Sequence, residues 1–253
     1  MKSVHDDRRL IGQLGKDPLG LLGVLDGYYE CPKDAAGKRL GPLVGYAGRY
    51  GEQNLQFVGD VYANFAAAEE EPFAFAHMVE LLRLKLLGET SSDVAVTTFC
   101  AMPMGGITFA YELAKVFDGR FVFPEKKVTA LATPTSREQS QLVFARHRLE
   151  AGEQVVICED VLNNFSTTDD GIRLIEASGA EVVAIVGLLN RSLKVDATYA
   201  YNSGRHIPVF SLVRKPIVEY MQHDPAVAAD VAAGNVAWKP KSQWALLKKA
   251  MGK

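Results

Sequence analysis

The alternation of apolar and polar positions changes character twice along the chain. Up to about Gly59 the apolar residues come in short bursts, broken by turn signals such as Pro-Lys-Asp, Gly-Lys-Arg and Tyr-Gly-Glu. That pattern predicts short strands or hairpins rather than long helices. Glu69, Glu70, Glu71 and Pro72 then open a helix, with the acidic residues suited to the positive end of its dipole. Its apolar positions Phe75, Met78, Val79, Leu82 and Leu86 recur three and four apart, and Gly88 is expected to end it. From Asp93 onward apolar runs alternate with amphipathic segments. Residues 94–99, 121–123, 154–158, 181–189 and 206–213 read as strands, and residues 107–117 and 169–177 as helices. Wholly apolar strands separated by amphipathic helices predict a parallel sheet covered on both faces, a doubly wound α/β fold. Phe73, Phe75 and Tyr111 are assigned to the core. The C-terminal stretch, with Pro216, Pro225, Pro240, Trp238 and Trp244, predicts irregular structure and short helices packed on the core. No linker is visible, so residues 1–253 are expected to form one domain: N-terminal strands and helix (1–89), α/β core (90–215) and C-terminal extension (216–253).

Composition narrows the function classes. With 28 Lys+Arg against 30 Asp+Glu the formal charge is −2, which argues against sequence-wide binding to nucleic acid or to an acidic membrane. Apolar runs such as residues 182–189 fall far short of the roughly 20 residues that span a bilayer. The start, MKSVHDDRRL, has no apolar region of a secretory signal, so a cytoplasmic protein is expected. Cys31, Cys100 and Cys158 are few and widely spaced, which suits buried thiols in a reducing compartment. The chain contains no G-x-x-x-x-G-K-[ST], G-x-G-x-x-G, H-E-x-x-H or C-x-x-C, and its five histidines show no metal spacing.

The segment richest in chemistry is residues 155–168, VVICEDVLNNFSTT. A buried strand brings two adjacent carboxylates, Glu159 and Asp160, to its C-terminal end. A polar loop of Asn163, Asn164, Ser166, Thr167 and Thr168 follows, and then a helix begins. In open α/β sheets ligands bind beyond the carboxyl ends of the strands. A helix N-terminus with short hydroxyl side chains suits a phosphate. Carboxylates beside such a cradle suit a ligand with both phosphate and free hydroxyls, such as a ribose phosphate, and could steady positive charge on the sugar. Ordinary capping describes the same residues, with Thr167 or Thr168 as N-cap and Asp169 and Asp170 in the first turn. Both readings stand on the residues alone.

Strand, Glu-Asp-Val, loop, Ser/Thr and helix, followed by GAEVVAIVGLLNR, resembles the phosphoribosyl pyrophosphate motif of type I phosphoribosyltransferases, above all the orotate phosphoribosyltransferases. The family pattern Glu-Asp-Val-x-Thr-Thr-Gly-Gly-Ser/Thr aligns without gaps on residues 159–167. Glu159, Asp160, Val161 and Thr167 fit it. Asn163 and Asn164 stand where Thr-Thr is usual, and Phe165 and Ser166 where Gly-Gly is usual. VAVTTFCAMPMGGITFAYELAKVF resembles the family's pyrophosphate-side loop, in which Met104, Gly105 and Gly106 would bring backbone N–H groups to the leaving group. Gly-Gly alone also describes a plain strand-to-helix turn. Residues 121–154 lie where the family has its mobile catalytic loop. Phe123, Glu125 and Lys126 fit its Phe-x-Glu-Lys signature, so Lys126, or its neighbour Lys127, would meet the pyrophosphate. The Lys…His-Gly element expected slightly later is not evident. Asn190-Arg191 matches the family's Asp-Arg, and Arg191 would meet an orotate carboxylate rather than lie exposed at a strand end. Lys33 resembles the hairpin lysine that reaches the site in orotate enzymes.

The resemblance is strongest over residues 90–215. It implies a type I phosphoribosyltransferase-like fold with an N-terminal hood-like segment, and transfer of phosphoribose from phosphoribosyl pyrophosphate to a base, orotate favoured. Mg2+ would enter with the substrate rather than on side-chain ligands, and a homodimer is expected, with no nucleic-acid or membrane partner. Two alternatives stay open: a non-catalytic relative that binds a nucleotide or phosphosugar as a sensor or regulator, motivated by the Asn-Asn-Phe-Ser replacement, and a transferase for a purine base.

Overall fold

The computed structural model describes residues 17–89, 98–130, 139–202 and 204–253. The beginning of the strand expected from Val94, and residues 131–138 of the segment likened to a catalytic loop, lie outside these. The described residues divide into two compact units, one formed by residues 17–71 with 216–253 and the other by residues 72–215. The C-terminal extension thus groups with the N-terminal strands, and the helix from Pro72 with the α/β core.

The first unit opens on helix α1 (Pro18–Val24), capped where the Asp17 carboxylate accepts the Gly20 N–H at 2.9 Å. Seven residues are too few for a helical period to register in the sequence. Strands β1 (Tyr28–Glu30), β2 (Leu43–Tyr50), β3 (Leu55–Gly59) and β4 (Val61–Ala63) follow, then the single turn α2 (Ala66–Glu69). β2 and β3 form the short antiparallel hairpin that the turn signals predict, whereas β1 pairs antiparallel with β4 across both of them, a non-local pairing.

The second unit holds the expected sheet. It comprises α3 (Pro72–Glu89), β5 (Thr98–Ala101), α4 (Gly106–Val116), β6 (Arg120–Val122), β7 (Glu125–Ala130), β8 (Gln139–Val143), β9 (Gln154–Leu162), α5 (Ser166–Ala177), β10 (Glu181–Asn190), β11 (Thr198–Tyr201) and β12 (Arg205–Arg214). Six strands are ordered β11-β12-β10-β9-β5-β6, all parallel except β11, and β7 and β8 form a separate antiparallel hairpin. The chain leaves β5 towards β6 but leaves β9 towards β10, so the winding reverses between β5 and β9. Crossovers of one hand running in opposite directions place α4 and α5 on opposite faces of the sheet. On the α5 face, Ile172 and Ile175 pack with Val155, Ile157, Val182 and Ile185 in one buried cluster. On α3 the predicted stripe Phe75, Met78, Val79, Leu82 and Leu86 is buried. Phe73 and Tyr111, assigned to the core from the sequence, are instead about half exposed, at 50% and 51%. Phe73 precedes Phe75 by two residues, roughly 200° around a helix, and so points away from the stripe. Tyr111 packs edge-on against Phe121 instead.

Residues 216–253 complete the first unit as α6 (Ala228–Ala232), β13 (Val236–Ala237) and α7 (Trp244–Ala250). The short helices match expectation; β13, which adds to β2 in parallel, does not follow from the sequence pattern. Leu43, Val58, Val227 and Val236 form a core built from both segments. Arg39 ties the two as well, bonding Asp60 at 2.5 Å and Asp230 at 3.2 Å. Burial alone would push the Asp60 carboxyl up, but hydrogen bonds from Arg39 and Lys33 outweigh it and hold the group below its ordinary value. All three cysteines are buried and unbridged. No helix of the described residues is long and apolar enough to cross a membrane.

Candidate active site

Parallel strands bring their C-terminal ends to one edge, and a reversal such as that between β5 and β9 is where open α/β sheets bind their ligands. β5 stops with Ala101 opposite Cys158, whereas β9 runs four residues further, paired with β10 up to Leu162 opposite Asn190. The acid pair is therefore not at the end of β9, as the sequence suggests, but within its overhang.

Successive residues of a strand face opposite ways, and Glu159 and Asp160 do so. Glu159 lies on the α5 side, where its Oε2 accepts the Thr168 hydroxyl at 3.0 Å. Burial pushes the Glu159 carboxyl up to about 7, and the charge of Asp160 pushes the same way. The Thr168 hydroxyl and the charge of Lys126 pull it partly back. Asp160 lies on the α4 side, over the start of that helix. A Cβ on Gly105 would fall closer than 3.0 Å to the Asp160 carboxylate, and one on Gly106 would collide with the Cys158 carbonyl oxygen. The two glycines thus let the positive end of α4 close on the strand that bears the acids. Met104 beside them is 79% exposed. Met102 is buried, and its sulfur would stand 2.6 Å from a Cβ on Gly171 of α5, so this turn packs against the helix that follows β9.

The loop 163–168 departs from the capping geometry expected of its threonines. The N-cap of α5 is Phe165, with φ 62° and ψ 12°, and its side chain caps nothing. Asn164, which is exposed, supplies the local bonds through Oδ1, accepting the Ser166 N–H at 3.1 Å and the Ser166 hydroxyl at 2.9 Å. Thr168 is fully buried and turned to Glu159, while Thr167 and Asn163 are half-buried beside it. Phe165 is buried at 2% exposure, so its bulk goes into the core rather than out over the loop.

Arg191 follows the last residue of β10, and its backbone N–H donates to the Leu162 carbonyl at 2.9 Å. It is buried, not the exposed strand-end arginine that was the alternative. Asn190 beside it is structural. Its Nδ2 donates to the carbonyls of Val195 and Asp196, both at 3.2 Å, and its Oδ1 accepts the Ser192 N–H at 3.1 Å. A carboxylate here would face two carbonyls with nothing to donate. Asn190→Asp is therefore expected to cost about 1–3 kcal/mol at pH 8, read from urea unfolding; unchanged stability would show that the amide's donors do not matter. Lys126 is an exposed residue of β7 whose charge reaches Glu159. Lys33 belongs to the first unit, where it is ion-paired with Asp60 at 2.8 Å.

Residues 85–210 match the phosphoribosyl transferase domain. An orotate phosphoribosyltransferase of a Nitratiruptor species is 30% identical over 156 residues, 61% of this chain and 67% of the relative. The chain belongs to the phosphoribosyl transferase domain family. Another relative, the orotate phosphoribosyltransferase of Helicobacter pylori (strain ATCC 700392 / 26695), is 25% identical over 74% of this chain and 88% of its own length. Among solved structures, UMP synthase of Leishmania donovani superposes with TM-score 0.52 at 14% identity, over 94% of this chain and 42% of that one, a likeness of fold.

Within this phosphoribosyl transferase domain the structure sets Gly105 and Gly106 against Asp160 and the Cys158 carbonyl of β9, and Thr168 of the following loop and helix against Glu159. Reasoning from sequence missed Tyr199, whose ring stacks on Phe165 with centroids 4.7 Å apart and planes at 12°. It also missed the Thr168–Glu159 bond. The available signal was Phe165 itself: a large apolar residue in a polar loop needs a partner elsewhere in the chain.

Proposed function

We propose that this protein is an orotate-type phosphoribosyltransferase, moving the 5-phosphoribosyl group from phosphoribosyl pyrophosphate to a nitrogenous base and releasing pyrophosphate. The observation that carries this reading is the overhang of β9, which sets Asp160 against the start of α4 and Glu159 against the start of α5. A phosphorylated sugar lying across it would meet carboxylates at its hydroxyls and a helix N-terminus at each end. Ionised Glu159 and Asp160 accept bonds from the ribose hydroxyls and favour positive charge at the reacting carbon as its bond to pyrophosphate breaks. The loop of Asn163, Asn164, Phe165, Ser166, Thr167 and Thr168 takes the 5-phosphate through its backbone amides. Met104, Gly105 and Gly106 with Lys126 receive the departing pyrophosphate. Arg191 is assigned to the carboxylate of the base. The work of the site is positioning and charge stabilisation, with no covalent bond to the protein.

Mg2+ fits this donor set. Among the described residues no group of three or more His, Cys, Asp or Glu is placed to hold a metal. Mg2+ often keeps several waters and binds largely through substrate phosphates, so it would enter with phosphoribosyl pyrophosphate, beside acids that keep their bonds to the ribose hydroxyls. Bound to the substrate, it would neutralise phosphate charge. The protein is further proposed to act as a homodimer, which light scattering at micromolar concentration would test.

One observation favours a second reading, a nucleotide- or phosphosugar-binding regulator: Asn164 already engages the N–H and hydroxyl of Ser166. A single experiment separates the two. With Mg2+, phosphoribosyl pyrophosphate and orotate, adenine, guanine, hypoxanthine or uracil, a transferase converts one base and stops when the metal is chelated. Nucleotide binding by calorimetry with no turnover of any base would establish the regulator instead.

A further inference from the structure

Phe165 holds a left-handed backbone, φ 62°, at the head of α5. That conformation costs a non-glycine residue roughly 1–2 kcal/mol, so something must hold it there. Three contacts do. The ring lies in the buried cluster with Leu162, Ile172 and Ile175 and stacks nearly parallel on Tyr199 of β11. The Tyr199 hydroxyl donates to the Asp169 carboxylate at 2.6 Å, in the first turn of α5. The Asp169 N–H donates in turn to the Phe165 carbonyl at 2.8 Å. These links form a closed circuit, ring to ring, hydroxyl to carboxylate, amide to carbonyl, that joins the loop to a strand at the edge of the sheet.

We propose that Phe165 and Tyr199 form an aromatic clasp that holds the phosphate-side loop in its left-handed turn, which makes Tyr199 a positioning residue for the sugar phosphate. This rests on the transferase reading of the loop. Tyr199 acts only through Phe165 and Asp169, which hold the backbone turn from which α5 begins at Ser166. Glycine would reach the same backbone without help, so the clasp does by packing what glycine does by freedom.

Calorimetry with ribose 5-phosphate, together with KM for phosphoribosyl pyrophosphate and for the base, tests it on the full chain. Tyr199→Leu is expected to weaken ribose 5-phosphate about tenfold, the factor that one aromatic pair of ordinary strength represents. KM for phosphoribosyl pyrophosphate should rise with it, while KM for the base stays unchanged. Tyr199→Phe, which keeps the ring and loses only the hydroxyl, should give a smaller rise. In a Phe165→Gly background the Tyr199→Leu change should no longer affect binding. Thermal unfolding monitors whether each variant is folded, and a purely structural role would lower Tm without altering the affinity of the folded protein. Equal ribose 5-phosphate affinity in wild type and Tyr199→Leu would overturn the clasp alone. A wild type that binds neither ribose 5-phosphate nor phosphoribosyl pyrophosphate would overturn both the clasp and the transferase reading.

Discussion

Glu159→Gln is expected to lower kcat by about 100- to 1,000-fold, the usual scale for removing a group aimed at developing charge, and at the same time to make the protein more stable at pH 8. The second effect follows from the same burial as the first. In the folded chain the carboxyl titrates at about 7, against 4.5 for the free group. Between these values the folded state holds a proton that the unfolded state has released. Stability therefore falls as pH rises through this window and stays lower above it. The shift corresponds to about 3 kcal/mol at pH 8, an upper figure because the site can relax. Urea unfolding at pH 5 and pH 8 reads it directly: the wild type should lose stability over that interval, and the variant should lose about 3 kcal/mol less. Equal losses would mean that Glu159 is solvated and that its place beside Thr168 carries no electrostatic cost. In the active protein, kcat/KM should rise as pH passes about 7 and the carboxylate forms. A destabilising acid kept in place is the pattern expected where function rather than folding selects the residue.

The second large effect divides two neighbouring glycines. Gly106→Ala is expected to cost about 1–3 kcal/mol in unfolding free energy, because the added methyl meets the backbone carbonyl of Cys158, which cannot move without moving β9. Glycine-to-alanine changes that fit normally stabilise by about 0.4–1 kcal/mol, so a loss here is a signature of contact. Gly105→Ala should leave stability within about 1 kcal/mol, since its φ of −64° suits any residue and the obstacle is a side chain able to turn aside. Turning aside is what should damage the chemistry. Displacing the Asp160 carboxylate by about 1 Å is expected to reduce kcat/KM about 100-fold. Equal losses of stability in both variants, with activity untouched, would mean that α4 does not approach β9 this closely.

Much of this could be read along the chain. The alternation of apolar runs and amphipathic segments foretold the doubly wound sheet, because a strand covered on both faces has to be apolar throughout and a surface helix has to repeat at 3.6 residues. Helix α3 keeps its predicted apolar stripe for the same reason, although it begins at Pro72 and leaves Glu69, Glu70 and Glu71 outside it. Glu-Asp at the end of a buried run, followed by small polar residues, located the candidate site, because side chains at strand ends have few roles other than capping or binding. Less legible was whatever depended on two distant segments meeting. Phe73 and Tyr111 have the composition of core residues, but their phase turns them outward. β13 is too short to carry a pattern and exists only because β2 offers it an edge.

By itself, then, the order of residues determined the sheet class and the identity of the acids, since each follows from local periodicity and short-range chemistry. Only the tertiary structure decided that Glu159 and Asp160 face opposite sides of the sheet, that Thr168 serves Glu159 instead of capping α5, and that Phe165 turns inward onto Tyr199. Those outcomes depend on register, on how far β9 overhangs β5 and on a ring arriving from 34 residues away. Such quantities arise when packing selects one arrangement, and no window of sequence contains them.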